Sequence, residues 1–126
     1  MPKHVPKYAG VEPGPYPFSP IVEANGFVFL AGQVGDAPGS HGAVPGGIEA
    51  QTRAMLDNVG RLLAATGLGF GDVVRCTVYL RDFENFAAMN AIYREYFPTE
   101  PPARATVGVS GLAADFDIEI EVTAAR

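Results

Sequence analysis

The sequence PPARATVGV at residues 101–109 is followed, nine residues further along the chain, by IEIEV at residues 118–122. Both segments alternate in the two-residue period of a β-strand, with small or apolar residues at every second position. The connecting residues 110–115 are long enough to reverse the chain, so the two strands are predicted to pair antiparallel. Such pairing aligns residues whose numbers sum to about 223, which would bring Arg104 beside Glu119.

An arginine beside a glutamate on a sheet has two interpretations. The guanidinium can hold a substrate carboxylate through two parallel hydrogen bonds, and the glutamate can orient or deprotonate a water molecule. The same two side chains can instead form a cross-strand ion pair that only stabilises the sheet. These two strands alone leave both interpretations open.

The composition is that of a folded protein. Of the 126 residues, 48% are hydrophobic and 18% are charged, which predicts one domain over residues 1–126. The net charge of −5 argues against nucleic acid or anionic lipid as a partner. The one cysteine, Cys76, is predicted to be a buried thiol on the apolar side of a strand, together with Val74, Val78 and Leu80.

The sequence contains no pattern of a targeting segment or of a metal site. The N-terminal residues lead into no apolar run, and no apolar stretch reaches membrane-spanning length. We therefore expect a cytoplasmic protein without a membrane partner. His4 and His41 have no cysteine or carboxylate at ligand spacing, so we expect no metal and no other cofactor.

Local patterns predict the first strands. Asn25-Gly26 between two apolar runs is the preferred type I′ hairpin turn. Residues 4–8 are predicted to form a short edge strand, limited in length by its prolines.

Two helices are predicted from apolar residues at helical spacing. The first covers about residues 47–66, with Gly67 as its C-terminal cap. The second follows Asp82, which is predicted as its N-cap, and ends before Pro98. Its apolar stripe consists of Phe86, Met89, Tyr93 and Phe97. The predicted order of elements is therefore β-β-β-α-β-α-β-β.

This order predicts an α+β fold in which both helices pack on one face of a single sheet. The other face would be uncovered and would carry a mixture of side chains from three strands: Arg75, Thr77, Tyr79, Arg104, Thr106, Glu119 and Glu121. A half-polar sheet face of this kind can meet solvent or pack against other subunits.

Several short motifs follow one another along the chain. They are NGFVFLAGQ at 25–33, Glu49-x-Gln51-Thr52, TVYL at 77–80, FAAMNAIY at 86–93, PARATV at 102–107 and IEIE at 118–121. In this order and spacing, the sequence resembles the RidA (YjgF) family of reactive-intermediate deaminases. Members of that family have also been described as endoribonuclease L-PSP or as translation inhibitors. The resemblance runs from about Tyr16 to Ala124.

The resemblance implies a chorismate-mutase-like fold, in which one mixed sheet carries two helices on one face and three copies form a barrel-like homotrimer with clefts between subunits. It implies hydrolysis of 2-imino (enamine) acids to 2-keto acids and ammonia, without a cofactor. Arg104 is then expected to hold the substrate carboxylate, and Glu119 to position the attacking water. Thr106 and Gly32 are expected to line the pocket, and Asn90 to support it.

Two positions of the expected pocket depart from the family's pattern. Phe18 stands where many deaminating members have tyrosine, and Ala31 stands where many have serine, so the pocket would lack two polar groups. Two alternatives therefore stay open. One is a trimeric member that binds a small ligand or a protein without turnover. The other is an endoribonuclease or translation inhibitor, against which the acidic balance of the chain argues.

Overall fold

The computed structural model describes residues 2–126. The strands are β1 (Ile21–Ala24), β2 (Phe27–Val34), β3 (Val73–Leu80), β4 (Ala103–Gly108) and β5 (Ile118–Ala125), and the helices are α1 (Gly47–Ala65) and α2 (Phe86–Tyr96). The five strands form one mixed sheet in the order β1-β2-β5-β3-β4. Both helices pack on the same face of this sheet, over a continuous hydrophobic core, as the sequence predicted.

The first hairpin forms at Asn25 and Gly26, whose φ angles of 52° and 80° are both positive. This is the type I′ geometry that the sequence predicted. The predicted edge strand at residues 4–8 is wrong. That segment makes only isolated bridges, one from His4 to Glu23 and another from Tyr8 to Val11. Its prolines interrupt the row of N–H donors that a continuous strand needs.

Both helices begin and end close to the predicted residues. α1 ends in a Schellman motif, in which the N–H of Gly67 donates to the carbonyl of Ala64 and that of Leu68 donates to the carbonyl of Leu63. Asp82 accepts a hydrogen bond from the N–H of Glu84 at 3.0 Å, and thereby caps the short 3₁₀ turn that leads into α2.

The predicted pairing of the last two strands is wrong. β4 pairs with β3 in parallel, and β5 pairs antiparallel with both β2 and β3, so β3 separates β4 from β5. Helix α2 lies between β3 and β4 in the sequence, and a strand–helix–strand connection of this kind places its two strands parallel. Arg104 is therefore aligned with Cys76, and not with Glu119.

A register shift at the start of β3 places Val74 on the face opposite to the one predicted. The pairing of β3 with β5 is irregular between Val73 and Arg75, so Val73 turns into the core while Val74 is exposed. The predicted place of Val74 beside Cys76 on the apolar side is thus wrong, because a bulge shifts the alternation by one residue. Cys76 itself is fully buried, and burial raises the pKa of its thiol.

The sheet face away from the helices is open in the single chain. The aromatic rings of Phe27 and Phe29 on β2 and the side chain of Val107 on β4 are each more than one-third exposed. In the part of the chain that the structure describes, no helix is both long and apolar enough to span a membrane.

One close approach fixes the distance between α1 and the sheet. A Cβ atom on Gly35 would lie 2.5 Å from the carbonyl oxygen and 2.7 Å from the Cα atom of Gln51. Gly35→Ala should therefore lower the free energy of unfolding by about 1–3 kcal/mol, the usual effect of overpacking. Urea unfolding at one fixed protein concentration measures this change.

The matched control is Gly71→Ala, since an added Cβ on Gly71 meets nothing within 4 Å. We expect that variant to stay within about 0.5 kcal/mol of the unmodified protein. Equal stability of the two variants would show that the contact between α1 and the sheet has room to adjust.

Candidate active site

The structure places Arg104 and Thr106 on the helix-covered face of the sheet, and not on the open face as predicted. They are aligned with Cys76 and Val78 of the neighbouring strand β3, which are both fully buried under the helices. Residues at the same level of parallel neighbouring strands point to the same face. The alternation along β4 was recognised correctly, but its two faces were exchanged, because β4 is an edge strand that presents alanines and a valine to the open side.

Arg104 and Glu119 do not meet within one chain. Through Cys76, Arg104 lies level with Val122, three residues along β5 from Glu119. Two strand spacings of about 4.8 Å and three residues at about 3.3 Å each put the Cα atoms of Arg104 and Glu119 about 14 Å apart. Glu119 lies on the open face, aligned with Tyr79, while Arg104 lies on the helix side. The candidate site residues therefore form two separate groups.

The first group, the arginine half-site, consists of Asn90, Arg104 and Thr106. The Arg104 guanidinium makes a weak contact from its NH1 nitrogen to the sulfur of Met89 at 3.9 Å. It also lies over the rings of Tyr93 and Phe86, at 4.6 Å and 5.7 Å from their centroids.

Arg104 is half-buried, and among residues 2–126 no carboxylate lies within ion-pair distance of it. An arginine that is partly removed from water without a counter-ion attracts an anion.

A cavity of about 260 Å³ opens next to this arginine. Its walls come from the second half of α2 and from the chain leading into β4: Asn90, Tyr93, Arg94, Phe97, Pro101, Pro102 and Arg104. Thr106, two residues further along β4, has a buried hydroxyl without a hydrogen-bond partner among the residues described. The arginine half-site thus combines a cation, an amide side chain and a small concave surface.

The second group, the glutamate half-site, consists of Phe18, Ala31, Gly32 and Glu119. The pairing of β2 with β5 shifts register between Leu30 and Gln33, which leaves Ala31 and Gly32 in a bulge. A Cβ atom on Gly32 would overlap Oε2 of Glu119, so the glycine lets the carboxylate lie flat against the β2 backbone.

Phe18 reaches the same end of β2. The N–H of Ala31 donates to the carbonyl of Pro20 at 2.9 Å, which extends the pairing of β1 with β2 and brings the segment before β1 alongside the bulge. The ring of Phe18 is 58% exposed in the single chain, so it adds an apolar surface to the glutamate half-site.

The electrostatic environment of Glu119 favours its protonated form. Partial burial raises the pKa of the Glu119 carboxyl, and the negative charge of Glu121 on the same strand face raises it further. Glu121 is more exposed, and it accepts a hydrogen bond of 2.7 Å from the hydroxyl of Tyr79. A raised pKa makes Glu119 a stronger base than an ordinary glutamate once it is ionised.

A buried amide fixes the start of β5, just before Glu119. The side-chain amide of Gln51 donates to Oδ2 of Asp117 and its oxygen accepts the N–H of Asp117, both at 2.9 Å. The guanidinium of Arg81 pairs with the other oxygen of the same carboxylate. In the sequence, Gln51 stands out only as part of the Glu49-x-Gln51-Thr52 motif. Its role depends on a residue 66 positions away, which no local pattern reveals.

Titratable side chains of the kinds that bind metals are dispersed. Residues 2–126 contain no group of three or more His, Cys, Asp or Glu side chains that could hold a metal ion.

Comparison with known proteins identifies the family. The sequence profile of the endoribonuclease L-PSP family matches residues 11–126. The chain belongs to this family. The match covers both half-sites and all secondary-structure elements, and it confirms the resemblance that the sequence motifs indicated.

Relatives within the L-PSP family have different names. The chain is 44% identical over 108 residues to a RutC family protein of Pyrococcus horikoshii, covering 86% of each. It is 38% identical over 110 residues to a 2-iminobutanoate/2-iminopropanoate deaminase of Mus musculus, covering 87% of this chain and 82% of that protein. Among solved structures, E. coli TdcF with bound serine superposes with a TM-score of 0.83 at 33% identity, covering 90% of this chain and 91% of that chain.

The raised pKa of Glu119 gives a direct test of the glutamate half-site. Glu121→Gln should lower the pKa of Glu119, because it removes a neighbouring negative charge while keeping the side chain's shape. In the unmodified protein, the pKa of Glu119 should lie above the ordinary glutamate value of about 4.3. A titration of the carboxyl carbon by NMR measures both values.

The control is Glu49→Gln, which removes the same charge from the exposed first turn of α1. If Glu121→Gln and Glu49→Gln leave the Glu119 pKa equally unchanged, the charge of Glu121 does not act on Glu119.

Proposed function

We propose that the protein is a deaminase that hydrolyses reactive 2-imino (enamine) acids to 2-keto acids and ammonia, in clefts formed between copies of the chain. The observation that carries this proposal is the half-buried guanidinium of Arg104, which faces a small cavity without a carboxylate partner in the described chain. The names of relatives such as the mouse deaminase support the same reaction class.

Arg104 acts as the anchor for the substrate. Its planar fork can bind a carboxylate through two parallel hydrogen bonds, and the adjacent cavity can hold a short side chain. Asn90 lies on the wall of the same cavity and can orient the bound molecule. The serine bound to the related TdcF is likewise a small molecule with a carboxylate next to the carbon that bears nitrogen.

Glu119 acts on the attacking water. Its carboxylate orients the water and takes one proton as the oxygen adds to C2 of the protonated imine, which gives a neutral tetrahedral amino alcohol. Glu119 then gives that proton to the amino nitrogen, and the C–N bond breaks as ammonia leaves. The carboxylate takes the hydroxyl proton as the C=O bond forms and passes it to the departing ammonia. Water and protonated imine are thereby converted into keto acid and ammonium.

The separation of the half-sites requires two copies of the chain in each active site. Arg104 and Glu119 lie on opposite faces of one sheet, about 14 Å apart, so a single chain cannot present both to one small substrate. A cyclic homotrimer that packs the open faces together can bring the glutamate half-site of one subunit to the arginine half-site of the next. The exposed rings of Phe27 and Phe29 on that open face support its burial in an assembly.

The assembly state can be measured directly. We expect sedimentation or light scattering at micromolar concentration to give three times the mass of the 13.3 kDa chain, because burying Phe27, Phe29 and Val107 of the open face favours assembly. A monomeric mass would contradict the shared site.

Mutation of each half-site tests the chemistry. Arg104→Ala should lower kcat/KM for imine hydrolysis by about a hundredfold or more, since it removes the charged partner of the carboxylate. Glu119→Gln should lower kcat by about a hundredfold, with a much smaller effect on KM. Glu121→Gln is the matched control on the same strand face and should be far milder. An amino-acid oxidase can generate the imines, whose decay is followed with and without the protein.

Mixing the two inactive variants tests whether the site is shared. When Arg104→Ala and Glu119→Gln chains assort randomly at equal amounts, about three quarters of cyclic trimers contain both chains, and each of these has one interface with both residues intact. About one quarter of the original activity should therefore return. A mixture that stays inactive would place both residues in the same subunit's site.

The same assay also tests the alternative that the protein binds a small ligand without turnover. Phe18 and Ala31 give the glutamate half-site an apolar edge, which is the observation that favours binding without turnover. If the unmodified protein binds 2-keto acids but hydrolyses no imine of the panel, the protein is a binding member of its family.

A further inference from the structure

We infer that Tyr93, together with Phe86, is a positioning residue that holds the Arg104 guanidinium in the orientation needed to bind a carboxylate, without neutralising its charge. This inference rests on the proposed function. It adds to that function a role for two residues that the sequence pattern marked only as part of the apolar stripe of α2.

Arg104 is surrounded by two aromatic rings and a thioether. The guanidinium lies 4.6 Å from the ring centroid of Tyr93 and 5.7 Å from that of Phe86. Both distances are within the range of about 6 Å in which a cation is attracted to an aromatic face. The sulfur of Met89, at 3.9 Å, completes a cradle around the guanidinium that consists only of uncharged groups.

The absence of charge from the cradle matters for binding. A carboxylate beside Arg104 would also fix its orientation, but it would occupy the same N–H donors that a substrate needs. Burial strongly raises the pKa of the Tyr93 hydroxyl, so this residue stays neutral beside the arginine. The thiol of Cys76 also stays neutral, because burial raises its pKa. Arg104 is thus held by two aromatic rings and by one weak NH1 contact to the sulfur of Met89. No carboxylate within the described chain occupies its N–H donors.

Tyr93 is itself fixed by packing in the core. Tyr93 is only 5% exposed, and its ring packs on that of Phe97 with centroids 4.6 Å apart. Its hydroxyl is buried without a hydrogen-bond partner among the described residues. The Cys76 thiol and the Arg104 guanidinium nevertheless lie close enough to this hydroxyl to affect its pKa. The positioning effect is assigned to the ring, and Tyr93→Phe, which lacks the hydroxyl, tests this assignment.

The experiment compares Tyr93→Leu with the conservative Tyr93→Phe. It measures keto acid binding and the orientation of the Arg104 side chain separately. Binding of 2-oxobutanoate is measured by calorimetry, which needs no turnover. Tyr93→Leu should raise the dissociation constant about tenfold or more, whereas Tyr93→Phe should keep most of the affinity. In imine hydrolysis, the loss should appear in KM more than in kcat, because water activation by Glu119 is unaffected.

The geometry is read from the side-chain Nε–H signal of Arg104 in an NMR spectrum, assigned by its absence in Arg104→Lys. The ring current of Tyr93 should shift this signal, and the shift should persist in Tyr93→Phe and collapse in Tyr93→Leu. Tyr96→Leu is the matched control. It removes a ring from the same helix that packs on Phe70 and contacts Asp57, and it should change neither readout.

The outcomes distinguish this inference from the proposed function. If Tyr93→Leu is folded and binds the keto acid as tightly as the unmodified protein, the positioning role is wrong and the deaminase proposal stands. An unchanged Arg104 signal in Tyr93→Leu would also overturn the role. If Tyr93→Leu does not fold, Phe86→Leu takes its place, with the same direction expected from a half-buried ring. Keto acid binding without imine hydrolysis would overturn only the deaminase proposal.

Discussion

Strand β5 is hydrogen-bonded on both sides, antiparallel to β2 and to β3, and the positions of all other elements depend on this central pairing. Because β5 is the central strand, the side chains at every second position lie in the middle of the core. These are Ile118, Ile120 and Val122, which are buried under the helices. The alternate position 119 must then face the opposite side. The glutamate half-site therefore follows from the position of the strand as much as from the identity of the residue.

Local patterns in the sequence predicted the parts of the fold that local forces determine. The Asn25-Gly26 turn requires two positive φ angles, and the end of α1 requires a residue such as Gly67 that tolerates one. Strand pairing is decided over longer distances. The order β3-α2-β4 already contains the unit that makes two strands parallel, and this rule outweighs the nearness in sequence of β4 and β5.

The residues of both half-sites were proposed from sequence motifs and their roles stay a prediction, whereas their arrangement in the fold was predicted wrongly. Alternation along β4 separates Arg104 from its alanine neighbours, yet an edge strand lacks the strong apolar contrast that would tell the covered face from the open one. The residues that surround Arg104 belong to the apolar stripe of α2, and in the sequence Met89 and Tyr93 look like ordinary core residues. Only the parallel pairing of β4 with β3 brings the arginine to that helix.

The placement of Arg104 and Glu119 on opposite sides of one sheet has a consequence for how the protein is made. Under the proposed mechanism, a newly synthesised chain contains every reactive group and yet has no active site until it meets its neighbours. Catalytic competence then follows the law of mass action for assembly, so the concentration of the chain sets the fraction of molecules that can work.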